Sequence, residues 1–315
     1  MTKHNSERTW GYPRYNEFSR IIHLAASEWF LVKGYKTSPK YPYILADRED
    51  WRLNIILPEV SNFIQDKSTK RHEGGDAFPL HKYLHHGLSS QAMLFNLVSP
   101  LLVRHDLAPL QKVVEGIGIA WPGEDADAIL EYEDRNVFNE KQGQPTSIDL
   151  AVTSQAGTPR LFFEAKFTER EFGGCSLYQQ GDCDGRNPAG NLDLCYLHHI
   201  GRNYWTLMQE FGLTHGPIEA NAMCILAPHY QFFRELLFAV SIGGTFILLS
   251  DDRSPVFHCD GSQGKRGLMP FLLGLLPHVF HVISPIMRVA GDLLSQLALR
   301  SLARFYGVHA TPTPS

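Results

Sequence analysis

Two neighbouring segments, SIDLAVTS (147–154) and PRLFFEAKF (159–167), constrain the fold more than any other feature of the chain. Alternate residues of a strand share a face. Leu161, Phe163, Ala165 and Phe167 therefore line one side of the second segment, and Phe162, Glu164 and Lys166 the other. An acid and a base sit side by side on an otherwise apolar strand, while the first segment sets Asp149 between Ile148 and Leu150. The link Ser154-Gln155-Ala156-Gly157-Thr158-Pro159 suits a hairpin. If it is symmetric about Ala156-Gly157, Asp149 lies opposite Glu164, with Cβ atoms about 5 Å apart, where like charges destabilise a sheet. Two carboxylates held together need a reason, and their hard oxygens suit Mg²⁺, with Mn²⁺ able to substitute. Such an ion binds a phosphate oxygen, lowers the pKa of a bound water and stabilises developing charge. The Ala165 carbonyl is a further candidate ligand. Lys166 would orient or help deprotonate the attacking water, or neutralise the phosphorane. An E-x-K on a strand is by itself often a solvated surface pair; the apolar strand, the preceding Asp and the register together point to catalysis.

The rest of the chain supplies a frame for these strands. Helical spacing marks Phe18 to Val32, Trp51 to Ile64 (interrupted by Pro58), and a helix opened by Ser89-Ser90-Gln91 that ends near or shortly after Pro100. Short apolar runs read as strands at Ile129–Glu133, Ser147–Thr153, Arg160–Phe167, Ala222–Ala227 and Thr245–Ser250. Leu192–Phe211 and Tyr230–Val240 read as helices between the later strands. That order predicts an α/β fold: a mixed β-sheet core flanked by helices. Residues 1–88 form an N-terminal helical region, 89–252 the core, and 253–315 a C-terminal helical region with a disordered tail.

Composition excludes several classes. A formal net charge of −4 argues against a non-specific nucleic-acid coat protein, though a local basic cleft can still guide a polyanion. No apolar leader opens the chain, and the five cysteines lack regular spacing, which suits a reducing cytoplasm. The stretch from Leu268 to Met287 has no charged residue, but Pro270, Pro277 and Pro285 break it into short helices, so no membrane partner is expected. Cys175, Cys183 and Cys195 follow the lysine strand without the close pairs usual in a zinc or iron–sulfur site.

IDLAV followed by LFFEAKF resembles the core of the PD-(D/E)XK nuclease superfamily. The stretch FFEAKFTEREFGGC, with SSQAMLFNLVSPLL and LEYED upstream, is similar to a bacterial family of restriction endonucleases within it. The resemblance runs from about Ser89 to about Asp252. It implies a restriction-endonuclease-like fold, Mg²⁺ dependence and hydrolysis of DNA phosphodiesters, with defence against foreign DNA as the role that fits. It assigns catalysis to Asp149, Glu164 and Lys166 and metal binding to Asp149 and Glu164. The superfamily's proline before the first acid is replaced by Ser147-Ile148. Many members supply a further acid upstream; Glu131 in LEYED is the candidate here, with Gln91 and Glu169 as supporting polar groups. DNA is the expected partner, with a homodimer a permitted assembly. Two alternatives stay open: a non-catalytic DNA- or partner-binding protein on the same fold, and a cysteine-ligated iron–sulfur nuclease acting on DNA ends.

Overall fold

The structure, a computed structural model, describes residues 15–72, 78–155, 160–251, 253–258 and 268–276. In chain order its helices and strands are α1 (Tyr15–Val32), α2 (Pro58–His72), α3 (Ser90–Arg104), α4 (Ala108–Gly116), β1 (Asp127–Glu133), β2 (Ser147–Thr153) and β3 (Arg160–Lys166). There follow α5 (Ser176–Gln180), α6 (Tyr196–His199), α7 (Tyr204–Glu210), α8 (Leu226–Ser241), β4 (Gly244–Ser250), α9 (Pro255–His258) and α10 (Leu268–Leu273). The strands form one mixed sheet in the order β1-β2-β3-β4, antiparallel except for the parallel β3–β4 pair. The sheet is flanked by helices, as the sequence pattern predicts.

Local rules explain the helices that matter most for the site. The Ser89 hydroxyl accepts the Ala92 N–H at 3.2 Å and caps α3, whose residues from Ala92 to Leu101 are all buried. Pro58 starts α2 rather than interrupting a helix, because a first-turn residue needs no N–H partner. Pro100, by contrast, lies in the interior of α3, where its missing N–H costs one helical hydrogen bond, and the helix continues past it to Arg104.

β3 carries the sheet. It is buried on both faces, with Leu161 and Phe162 at 0 % exposure and Lys166 at 6 %. α8 packs on it through Phe238, whose ring centroid is 5.7 Å from that of Phe162. β2 is anchored at its start by Glu140, which accepts the Thr146 N–H at 2.6 Å and the Tyr204 hydroxyl at 2.5 Å. The link residues 156–159 lie outside the described ones, as do Cys259 and the C-terminal residues after 276.

Two expectations fail. Residues 222–227 are not a strand: their backbone groups are claimed by a loop, with Cys224 N donating to Gly185 O at 2.8 Å and Cys175 N to Ala227 O at 3.0 Å, and α8 already begins at Leu226. The continuous helix expected over 192–211 is broken into a 3-10 turn, α6 and α7. Between them the Arg202 guanidinium turns to the carbonyls of Asn139 and Gln142, which ties this segment to the loop before β2.

β4 can approach β3 only because Gly244 has no side chain. A Cβ there would meet Phe162 Cε2 at 2.3 Å and Arg160 O at 3.0 Å. Gly244→Ala is expected to destabilise the protein by about 1–3 kcal/mol, read as a lower urea midpoint. An unchanged midpoint would mean that the β3–β4 contact is loose.

Candidate functional site

The expected register of the central hairpin is present. Leu150 pairs with Phe163, Ala151 with Phe162 and Val152 with Leu161, so continuation of the ladder sets Asp149 opposite Glu164. The backbone pairing stops there. In its place the Asp149 carboxylate crosses to β3 and accepts the Ala165 N–H at 2.8 Å. On the other side of β2, the β1 ladder pairs Leu130 with Leu150 and Tyr132 with Ile148. Glu131 falls between them, at the level of Asp149. Three acids thus stand in a row across three adjacent strands.

Glu131 has φ of +53°, a left-handed conformation that costs a residue with a Cβ and is uncommon inside a strand. Its carboxylate is held at both oxygens: Gln91 Nε2 donates to Oε1 at 2.6 Å, and Ser147 Oγ donates to Oε2 at 2.9 Å. Gln91 itself is fixed by the His81 N–H, which donates to its Oε1 at 2.8 Å. The row is therefore joined to α3 and to the segment before it.

On β3, Lys166 Nζ donates to Glu164 Oε1 at 2.6 Å and to Gln231 Oε1 at 2.9 Å. Gln231 Nε2 closes the triangle by donating to Glu164 Oε1 at 2.8 Å. Glu169 bends back so that Oε2 accepts the Phe167 N–H at 2.6 Å, which caps the end of the strand. Farther along α8, Glu235 is fully buried, and neither of its carboxylate oxygens meets a donor in hydrogen-bond geometry among the described residues.

Burial and crowding set the proton inventory. Burial raises the Asp149 carboxyl well above the ordinary range; the charges of Glu164 and Glu131 add to the rise, and Lys166 and the Ala165 N–H oppose it. Burial likewise pushes Glu131 up to about 7, against the Gln91 and Ser147 hydrogen bonds. Glu235 is raised by burial first and by Glu164 second. Burial alone would lower Lys166, but Glu164, Glu169, Glu235 and Asp149 outweigh it and hold the ammonium charged.

The structure thus brings together Glu131, Asp149, Glu164 and Lys166, with Gln91 and Glu169 at the margins. Gln231 and Glu235 escape the sequence reading, although a polar pair one turn apart on the apolar run QFFRELLF was the available signal. As the side chains stand, among the described residues no three His, Cys, Asp or Glu groups converge as a ready-made ion cage. The reason at the strand row is that Lys166, Gln91, Ser147 and the Ala165 N–H already engage the acids. Cys175, Cys183, Cys195 and Cys224 are free thiols. Burial pushes Cys224 up to about 12 and raises Cys195, so both stay protonated at neutral pH. Tyr204 and Trp205, aromatic residues that a nucleic acid could use if exposed, are core residues. No helix among the described residues is long and apolar enough to cross a membrane.

The family model described as Restriction Endonuclease associating with ARP (REase-ARP) matches residues 24–286, most of the chain. The protein belongs to this family. No curated protein and no solved structure matches the chain. The family span runs from α1 through the acid row and α8 to beyond α10, so it includes every residue of the cluster described above.

The raised Glu131 carboxyl has a consequence for stability. Folded protein holds this proton up to about pH 7, whereas the unfolded chain releases it near the ordinary carboxyl value of 4.5. Between those values the native state binds more protons, so its stability falls as pH rises through the window. In metal-free buffer, urea midpoints of Glu131→Gln should decline less from pH 5 to pH 7 than those of wild type. Parallel pH profiles for the two proteins would sink this account.

Proposed function

We propose that the protein is a divalent-metal-dependent endonuclease of the PD-(D/E)XK type, hydrolysing DNA phosphodiester bonds with Asp149, Glu164 and Lys166 as its catalytic centre. The observation that carries this reading is the row Glu131–Asp149–Glu164 on adjacent strands with Lys166 beside it. Buried carboxylates packed this closely are poor structural material, because each raises the proton affinity of the next. They are good material for a hard cation, and Asp149 and Glu164, with Glu131 as a third donor, are the residues that would hold Mg²⁺ or Mn²⁺. Such a cation supplies Lewis acidity at a phosphate oxygen and a more acidic water.

The chain's own groups then have separable roles. Lys166 keeps its proton, so it serves as a fixed positive charge next to the scissile phosphate, able to orient water and to offset charge on the phosphorane. Gln231 holds Lys166 and Glu164 at once and preserves the lysine's position when Glu164 turns to another partner. Gln91 and Ser147 aim the Glu131 carboxylate. Glu131 and Asp149 have raised proton affinity, so a cation must compete with protons there and metal affinity should rise with pH. The family's description as a restriction endonuclease supports extending the reading to a role in defence against foreign DNA.

The test is plasmid cleavage with Mg²⁺ or Mn²⁺ and with EDTA. Lys166→Ala is expected to lower the cleavage rate by about 10² or more while DNA binding persists. Asp149→Ala should lose both cleavage and the Mn²⁺ binding seen by calorimetry. Wild-type rates in Lys166→Ala, or undiminished Mn²⁺ binding in Asp149→Ala, would refute the assignment.

A further inference from the structure

The N-terminal region carries a surface that the catalytic cluster does not use. Residues 29–46 and 77–105 contain no Asp or Glu, while they include Lys33, Lys36, Lys40, Lys82 and Arg104. The fold laces these two acid-free stretches together. Leu45 N donates to His85 O at 3.2 Å and Gly87 N to Tyr43 O at 2.9 Å. A Cβ on Gly87 would meet Ala26 Cβ at 2.7 Å and Tyr43 O at 3.1 Å, so the approach allows no side chain there. The buried Asn54 fixes the second stretch by donating to the carbonyls of Leu84 at 2.8 Å and His86 at 2.7 Å.

The joined surface is lined with rings and lysines. Tyr41 and Tyr83 are 39 % and 44 % exposed. Lys40 Nζ lies 5.0 Å from the Tyr41 ring centroid and Lys82 Nζ 4.7 Å from that of Tyr83, so each ammonium is held beside a flat face. His81 and His86 stand against Tyr83, with centroids at 5.2 Å and 4.9 Å. The flanking acids are Asp47, whose carboxylate is turned onto the Glu49 N–H at 2.9 Å, Glu49, which lines one hollow with Arg48, His81 and His85, and Glu169, whose charge reaches His81. This ground is continuous with the acid row, because the His81 N–H donates to Gln91 and Gln91 donates to Glu131.

We propose that the surface of Lys40, Tyr41, Lys82 and Tyr83 is the DNA-docking face, which seats the phosphate backbone and directs the strand past His81 to the acid row. The choice of DNA as occupant rests on the nuclease reading above and on charge: two stretches that bear lysines and exposed tyrosines but no acid of their own, on a chain of net charge −4, suit a polyanion. Lysines would neutralise phosphates, and exposed tyrosines would donate to phosphate oxygens or stack on sugars and bases.

The experiment is fluorescence anisotropy of a short labelled DNA duplex and the matching single strand, in EDTA, over a range of salt concentrations. The double variant Lys40→Glu/Lys82→Glu changes only exposed side chains. It is expected to weaken duplex binding about tenfold or more at low salt. It should also flatten the slope of log K against log salt by about 2, since each lost phosphate contact removes about 0.9. Lys112→Glu, on α4 outside the two laced stretches, should bind as wild type. A double variant with wild-type affinity and salt slope overturns the proposal, as does a wild type that binds neither DNA at low salt. The nuclease reading fails separately: Asp149→Ala keeps this surface, so if wild type binds DNA through it but neither cleaves DNA nor takes up Mn²⁺, the docking face stands and the catalytic assignment falls.

Discussion

The buried ion pair between Lys166 and Glu164 is the contact on which the rest of the centre depends. Charges taken out of water are costly unless each is paired and hydrogen-bonded. Here the ammonium has two acceptors, Glu164 and Gln231, and Glu164 Oε1 in turn accepts from both Lys166 and Gln231. Gln231 belongs to α8, so the pair fixes where that helix crosses β3. The apolar contacts of Phe238 with Phe162 and of Phe232 with Phe246 then follow along the same helix. A sheet strand with charges at one end and rings at the other is oriented unambiguously against its helix. The rings stabilise the packing, and the charges determine its direction.

The same contact shapes the chemistry. Lys166 offsets part of the negative charge of the acid row, and without it Asp149 would be still harder to ionise. The pair therefore balances two demands. It holds the sheet together, and on the proposed metal-dependent reading it must also release Glu164 when a divalent cation competes for its oxygens. Gln231 makes such an exchange tolerable, because its Oε1 retains the ammonium whichever partner Glu164 takes. Glu235 is buried beneath this exchange; it is among the acids that raise Lys166, while burial and the nearby Glu164 raise its own proton affinity.

Much of this arrangement is legible in the chain and some is not, for physical reasons. Strand alternation and a short link fix a register, since a slip of one residue would send the whole apolar set to the wrong face. That is why the pairs Leu150–Phe163 and Ala151–Phe162 could be anticipated from residue types alone. Residues 222–227 mislead because a short apolar run fits a strand and a buried helix start equally well; the decision is made by Gly185 and Cys175, which are distant in sequence and occupy its backbone groups. The left-handed turn of Glu131 is invisible to pattern reading, because no glycine or asparagine marks it. Its cause is tertiary: the carboxylate is drawn to Gln91 and Ser147. Gln231 escapes for a related reason, since a glutamine on a helix face acquires meaning only once β3 is packed beneath it.

Net charge and local field also separate clearly in this molecule. The chain is acidic overall, yet several acids lie in the interior, where Glu131, Glu140, Glu164, Glu235, Asp149 and Asp251 are buried or held by internal partners. Burial raises the proton affinity of Asp149 and Glu235, so these groups favour the neutral form more than exposed acids do. The lysines of the N-terminal stretches stand outside, with no acid in their own segments to cancel them. A polyanion approaching that side meets fixed positive charge first and the acid row last. The repulsion it would then meet is the same repulsion that makes the row receptive to a cation. On the proposed docking and metal-binding readings, attraction at the rim and repulsion at the centre are compatible, and a strand seated at the rim would advance only once the centre had been neutralised.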